Sequence, residues 1–272
     1  MAKLNGFSIE APGGGARSPL AGSSRSCPLC FLSQTPLGSG PKRVIRLIIG
    51  ARWSSTWTMR SWLTCRLSGL PFGTETLCLS GAEGADKPAN ASSTGLIPVL
   101  EHDGFLVTDP IAIAEYLWEL APGGAIWPAD LRARTAARMS AAEVHAHFAE
   151  LRAALPMNLV KRWPIRNGIP SHVKLIGRPG VAAQLARVQE SWRQTRAAWG
   201  GGGPYLFGAT FCCADAMWAP MASRFRTYSV ALAPDAQAYA DAVLAHPLVA
   251  EWVAAAEAEA REIGWDACAA WP

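Results

Sequence analysis

Residues 43–50, RVIRLIIG, form a short β-branched run closed by a glycine, and they predict the first strand of the chain. In ARWSSTWTMRSWLTCRLSGLPF the pattern turns helical from about Trp57: Trp62, Leu63 and Leu67 share one face, and Gly69 followed by Pro71 ends the segment. A second strand is expected over residues 74–79, within GTETLCL, whereas SGAEGADKPANASSTG has room only for a short irregular helix or loop. LIPVLEHDG and FLVT then predict two short strands joined at Asp103-Gly104, a dipeptide suited to a tight hairpin. DPIAIAEYLWELA reads as a helix: Asp109 is placed to cap it, Pro110 suits its first turn, and Ile113, Leu117 and Leu120 are spaced as a buried stripe.

From about residue 131 strand signals nearly vanish. LRARTAARMSAAEVHAHFAELRAALPMNL reads as one long helix, followed by helices in VAAQLARVQESWRQTRAAWGGGG, CCADAMWAPMASRFRTYSV, DAQAYADAVLAH and PLVAEWVAAAEAEAREIG. A mixed α/β domain over residues 43–121 is therefore expected, joined through LAPGGAIWPAD to an all-helical domain over residues 122–272. Residues 1–42 are rich in Gly, Ser and Pro without periodicity, which predicts a disordered extension. Its Lys3, Arg17 and Arg25 against the single acid Glu10 suit an organelle-targeting peptide, and a start assigned too early would look the same.

Composition narrows the function classes. Half of the 272 residues are hydrophobic and only 17% are charged, so most of the chain should fold around a proper core. The net charge of +4 comes without a dense basic run, which argues against nucleic acid as a partner. No apolar run reaches the roughly 18 residues of a membrane helix, so a soluble protein without a membrane partner is expected. Seven scattered cysteines suit the reducing cytoplasm better than a disulfide framework. Cys27 to Cys30, CPLC, has redox or half-zinc spacing, but it precedes the first credible strand and has no second pair, so it reads as inert and no metal is expected.

One residue resists this reading. Pro98 interrupts a strand-like run over residues 96–100, where a residue without an N–H does not belong.

The order of motifs supplies a reason. STGLIPVL before the hairpin, TDPIAIAEYL after it, WSSTWTMRSWL at the first helix, and LFGATFCCADAMWAP with SRFRTY in the helical half together resemble the glutathione S-transferases, from about residue 43 to about residue 265. WSSTWTMRSWL is similar to the SSWS-x-R-x-W of a bacterial serine-type subfamily, and the serine-rich start also resembles the zeta class. The resemblance implies an α/β thioredoxin-like N-terminal domain that binds glutathione as co-substrate, and an all-α C-terminal domain that supplies the electrophile pocket. It further implies a cis peptide bond at Ile97-Pro98, with the backbone of Ile97 turned toward the cysteinyl part of glutathione.

Site residues follow from the same resemblance. A gapless overlay makes Ser55 the first choice, and Ser54 the second, for the hydroxyl that stabilises the thiolate beside the positive end of a helix. Asp109 would take the γ-glutamyl ammonium, while Pro110 stands where the family has a serine and lacks both its hydroxyl and its N–H. Lys87 is the candidate cation for the glycine carboxylate. His145, Phe148 and Arg152 have the spacing to share a helical face and would line the electrophile pocket, with Trp163 and Tyr228 as further candidates; such spacing more often marks core. Cys212-Cys213-Ala214-Asp215 stands where the family has a capping unit, so Asp215 reads as structural. The expected activity is a cytoplasmic, homodimeric glutathione transferase acting on a small hydrophobic electrophile. The alternatives are a glutathione-dependent isomerase of zeta type and a non-catalytic ligand-binding protein.

Overall fold

The computed structural model of the protein describes residues 45–77, 92, 94–162, 165–166, 169–170 and 173–263. The extension 1–42, the CPLC pair, Lys87 and Trp163 lie outside the described residues. Four strands, β1 (Ile45–Ile49), β2 (Phe72–Thr76), β3 (Val99–His102) and β4 (Phe105–Thr108), form one sheet in the order β2-β1-β3-β4. β1 and β2 run parallel and are joined by helix α1 (Thr56–Ser68), the crossover that parallel neighbours require; β3 is antiparallel to both β1 and β4. β2 begins at Phe72 rather than at residue 74, because its register is set by β1: Ile45 pairs with Phe72 and Ile49 with Thr76. Exposed Arg46, on the central strand, reaches Glu75 on one side (2.6 Å) and Glu101 on the other (2.9 Å).

The hairpin forms as the sequence implies. Asp103 and Gly104 both take positive φ (51° and 83°), the two-residue turn whose twist matches the flanking strands. Helix α2 (Pro110–Leu120) starts at Asp109, whose Oδ1 accepts the Ile111 N–H at 2.8 Å. α1 ends at Gly69 in the left-handed conformation, with its N–H on the Arg66 carbonyl. Ile113, Ala114 and Leu117 of α2 meet Met59 and Leu63 of α1, and the same core takes in Leu47, Ile49 and Leu100 of the sheet. α1 is buried almost all round, which is why it carries only a weak apolar stripe in sequence.

The expected single helix after residue 131 is two: α3 (Leu131–Ala146) and α4 (Ala149–Ala154). They part at Phe148, a non-glycine residue at φ 68°, ψ 33°, whose buried ring packs on Trp218 with centroids 5.6 Å apart. Tertiary packing overrides the helical pattern there, with no glycine or proline to announce it. A short hairpin, β5 (Ile165–Arg166) and β6 (Ile169–Pro170), and a one-turn helix α5 (Val173–Ile176) also escaped the pattern. α6 (Pro179–Trp199), α7 (Cys213–Thr227), α8 (Pro234–Ala245) and α9 (Pro247–Ile263) complete the helical domain among the described residues. Its centre is aromatic: Trp192 lies 5.7 Å from Trp218 and 4.8 Å from Tyr239, centroid to centroid.

α7 opens with Asp215, which is fully buried. Its Oδ1 accepts from the Leu206 N–H and the Tyr239 hydroxyl, and its Oδ2 from the Cys212 N–H, each at 3.0 Å. Cys212 returns the contact through its sulfur, completing a capping box. Asp215 thus ties the preceding loop and α8 to the start of α7.

Candidate functional site

Register gathers the site at one edge of the sheet. Ile48 pairs with Val99, and Val99 with Thr108, so the loop after β1, the residues before β3 and the start of α2 share that edge. The Ile97-Pro98 peptide bond is cis. Pro98 is buried, while Ile97 is half-buried and precedes the ladder, which begins at Val99. The turn leading to it is held by Ser92, whose hydroxyl donates to the Leu96 carbonyl at 3.0 Å.

Ser55 is the N-cap of α1. Its Oγ accepts the Thr58 N–H (3.4 Å) and donates to the Thr58 Oγ1 at 2.7 Å, and that threonine oxygen accepts the Gly50 N–H (3.4 Å). The cap uses only an oxygen lone pair, while the hydroxyl proton is spent on Thr58 Oγ1 and would have to leave it to reach a sulfur. Ser54 is half-buried, with no side-chain partner among the described residues.

Asp109 carries the strongest local signal. Its backbone sits at φ 74°, ψ 131°, a region that costs a non-glycine residue about 1–3 kcal/mol and persists only where the surroundings impose it. While Oδ1 caps α2, Oδ2 lies 3.0 Å from His145 Nε2 on α3, so the carboxylate bridges the two domains. Pro110 is buried at the first helical position. With the Ile111 N–H spent on the cap, Ala112 carries the remaining first-turn N–H.

Beyond Asp109 the walls become cationic. The Trp57 ring is flanked by the guanidinium groups of Arg60 (5.2 Å) and Arg152 (5.1 Å), and by His145, centroid to centroid 5.7 Å. Arg60 is 1% exposed and donates to the Met217 (2.9 Å) and Val144 (3.2 Å) carbonyls. Arg152 donates to the same Val144 carbonyl and to that of His145. Arg224, also buried, reaches the Thr56 hydroxyl at 3.0 Å. Burial holds the pKa of His145 down; Asp109 pulls it up, and Arg60 and Arg152 push it down again. The imidazole is therefore mainly neutral at pH 7.

His145 and Arg152 thus come together as their spacing implies, but Phe148 does not join them. The break between α3 and α4 turns its ring into the core and toward the cleft between α3 and α6. Tyr228 is likewise core, its hydroxyl donating to the Pro156 carbonyl at 2.9 Å. Trp57, Arg60 and Arg224 were missed by sequence reasoning. Their signal was a lone arginine between the core residues Met59 and Leu63, and a second one on the most buried helix of the other domain. The described cysteines offer no nucleophile: burial pushes the thiols of Cys65, Cys212 and Cys213 up, that of Cys213 to about 12. No group of metal-ligating side chains occurs among the described residues, and none of the described helices is long and apolar enough to cross a membrane.

Two family models match the chain: the glutathione S-transferase N-terminal domain over residues 54–120 and the glutathione S-transferase C-terminal domain over residues 178–271. No curated protein sequence matches it. Among solved structures, a glutathione transferase homolog from Burkholderia gl BGR1 with bound glutathione is 23% identical, with a TM-score of 0.59 over 79% of this chain and 99% of that one. The Tau class glutathione S-transferase of mango, Mangifera indica, is 18% identical, with a TM-score of 0.59 over 81% and 98%. A maleyl pyruvate isomerase, described as a bacterial glutathione S-transferase in Zeta class, is 22% identical, with a TM-score of 0.58 over 78% and 97%. At these identities the likeness is one of fold.

Proposed function

We infer that this chain, which belongs to the glutathione S-transferase family, binds glutathione at the sheet edge between Ile97 and Asp109 and transfers its thiol to a small electrophile. The observation that carries this reading is the convergence at one edge of three complementary groups: the half-buried Ile97 before its cis bond and ahead of the β3 ladder, the α1 N-terminus at Ser55, and the half-exposed carboxylate of Asp109. The backbone of Ile97 pairs with the cysteinyl unit as a strand would. Asp109 receives the γ-glutamyl ammonium, and Lys87, outside the described residues, is assigned the glycine carboxylate.

Ser55 turns its hydroxyl from Thr58 to the sulfur. A free thiol of pKa near 8.5 is only a few per cent thiolate at pH 7; a hydroxyl donor and the positive end of α1 both favour the anion. With an aryl halide, the carbon–sulfur bond forms as the carbon–halogen bond breaks. The halide leaves with the electron pair, and the thiol proton goes to solvent. Exposed Leu96, Phe105 and Leu106 beside the β4 edge, and Leu131 and Met139 on α3, support a homodimer. The buried, unpaired described cysteines suit a reducing cytoplasm.

Ser55→Gly tests the assignment, because glycine preserves the helix cap to within a few tenths of a kcal/mol. Losing one hydrogen bond to a charged sulfur lowers kcat/KM for 1-chloro-2,4-dinitrobenzene by about ten- to a hundredfold. An unchanged rate contradicts the role of Ser55. Pro110→Ser restores an N–H and a hydroxyl beside the γ-glutamyl carboxylate, and calorimetry should show glutathione binding tighter by roughly five- to fiftyfold. Equal affinity would mean that this carboxylate binds elsewhere. A second reading, a ligand-binding protein without turnover, is favoured by the engagement of the Ser55 hydroxyl and by Pro110. Glutathione affinity without turnover of any aryl halide would select it.

A further inference from the structure

The cations around Trp57 outnumber the acids available to them. Burial first, and then Arg152 and Arg224, hold the pKa of Arg60 down, and Asp109 is the one carboxylate among the groups that raise it. That carboxylate is already shared between His145 and the α2 cap. The acceptors these guanidinium groups find are neutral: the carbonyls of Val144, His145, Leu155, Pro220 and Met217, and the Thr56 hydroxyl. Two donors find none, since Arg60 Nη1 and Arg152 Nε are buried without a partner. Cations withdrawn from water without a counter-charge are costly, and the cost falls when an anion joins them.

We propose that the second substrate is an anion, a small aromatic carboxylate whose carboxylate group docks on Arg152 and Arg60 beside Trp57. This rests on the transferase reading for its role in turnover, but the anion site itself can be tested without it. Arg60 points from α1 to carbonyls on α3 and α7, while Arg152 and Arg224 stand on α4 and α7; Arg224 reaches Thr56, next to Ser55, so the cluster adjoins the place assigned to the glutathione sulfur. Guanidinium groups suit a planar carboxylate because they offer paired donors in a fixed plane. His145, mainly neutral, occupies one oxygen of Asp109, and the other oxygen caps α2. The site therefore selects by charge as well as by apolar shape, whereas the sequence pointed to a small hydrophobic electrophile beside His145, Phe148 and Arg152.

The test compares 4-nitrobenzoate with its neutral counterpart 4-nitrobenzamide by calorimetry on the full chain, without glutathione. The benzoate should bind at least about tenfold tighter, as charge-assisted pairing with buried arginine predicts, and added salt should narrow the gap. Arg152→Met should bring the ratio to within about twofold, while Arg152→Lys, which keeps the charge, retains part of it. Equal binding of the two ligands by the wild-type protein overturns the proposal. So does displacement of the benzoate by saturating S-methylglutathione, which would place the cations in the glutathione subsite. Failure to turn over 1-chloro-2,4-dinitrobenzene, with the benzoate preference intact, would strike the transferase reading and leave the anion site standing.

Discussion

Asp109→Asn weakens glutathione binding by about ten- to a hundredfold, the equivalent of one charge-assisted hydrogen bond of about 1.5–3 kcal/mol. Asparagine keeps an oxygen for the Ile111 N–H, so the α2 cap survives; what disappears is the charge facing the ammonium. Asp109→Gly sharpens the same point from the other side. Glycine accepts φ 74°, ψ 131° freely, so this variant should melt no lower than the wild type, and up to a few degrees higher, while binding glutathione no better than Asp109→Asn. A residue that lowers stability where it stands and supports binding is the pattern expected of a functional position. If both variants bind glutathione as the wild type does, Asp109 has no part in the site. Calorimetry and thermal melts on the same samples read both quantities.

The second large effect falls on the fold. Asp215→Asn replaces one of two accepting oxygens by a donor, in a fully buried position where three donors already converge: the Leu206 and Cys212 N–H groups and the Tyr239 hydroxyl. At least one of them then faces an N–H₂ group and goes unsatisfied, which costs about 1–3 kcal/mol per donor. For a chain of this size a loss of about 2–4 kcal/mol lowers Tm by roughly 5–15 °C. Burial pushes the Asp215 carboxyl up, and the donors around it pull it back. With the folded pKa above its unfolded value, this group alone makes the protein relatively more stable as pH falls from the folded pKa toward the unfolded one. The wild-type advantage over Asp215→Asn persists there, because the protonated acid still offers acceptor lone pairs. A Tm within two degrees of wild type would show that the capping box is dispensable.

How much of this was legible beforehand depends on whether a feature is local. The hairpin turn at Asp103-Gly104, the cap at Asp109 and the end of α1 at Gly69 are decided by residues that need a particular φ or offer a side-chain acceptor, and each stands where its own chemistry puts it. Pro98 was legible as an anomaly, and the cis bond at Ile97-Pro98 agrees with the family's geometry. What failed was long-range. Phe148 ends α3 because Trp218, seventy residues away in sequence, takes its ring, and no propensity of the intervening chain records that. β2 starts at Phe72 because β1 is its template.

The candidate site divides in the same way. Asp109 and Ser55 could be read from motifs, whereas the cationic wall around Trp57 brings together α1, α4 and α7. Arg60 sat inside the motif used to recognise the family, yet its partners are carbonyls contributed by two other helices. The pairing of His145 with Asp109 is likewise a contact between domains. It couples the acid proposed to bind glutathione to the wall proposed for the electrophile, so occupancy of one subsite is expected to be felt at the other.

Everything turns on whether the edge between Ile97 and Asp109 receives glutathione. Isothermal titration of the full-length wild-type chain with glutathione at pH 7 addresses this directly. One site per chain with Kd of about 10⁻⁴–10⁻³ M, an affinity lowered by Pro110, is the predicted result. No heat of binding at glutathione concentrations of about 10 mM, from a protein whose circular dichroism and melt show an intact fold, would contradict it.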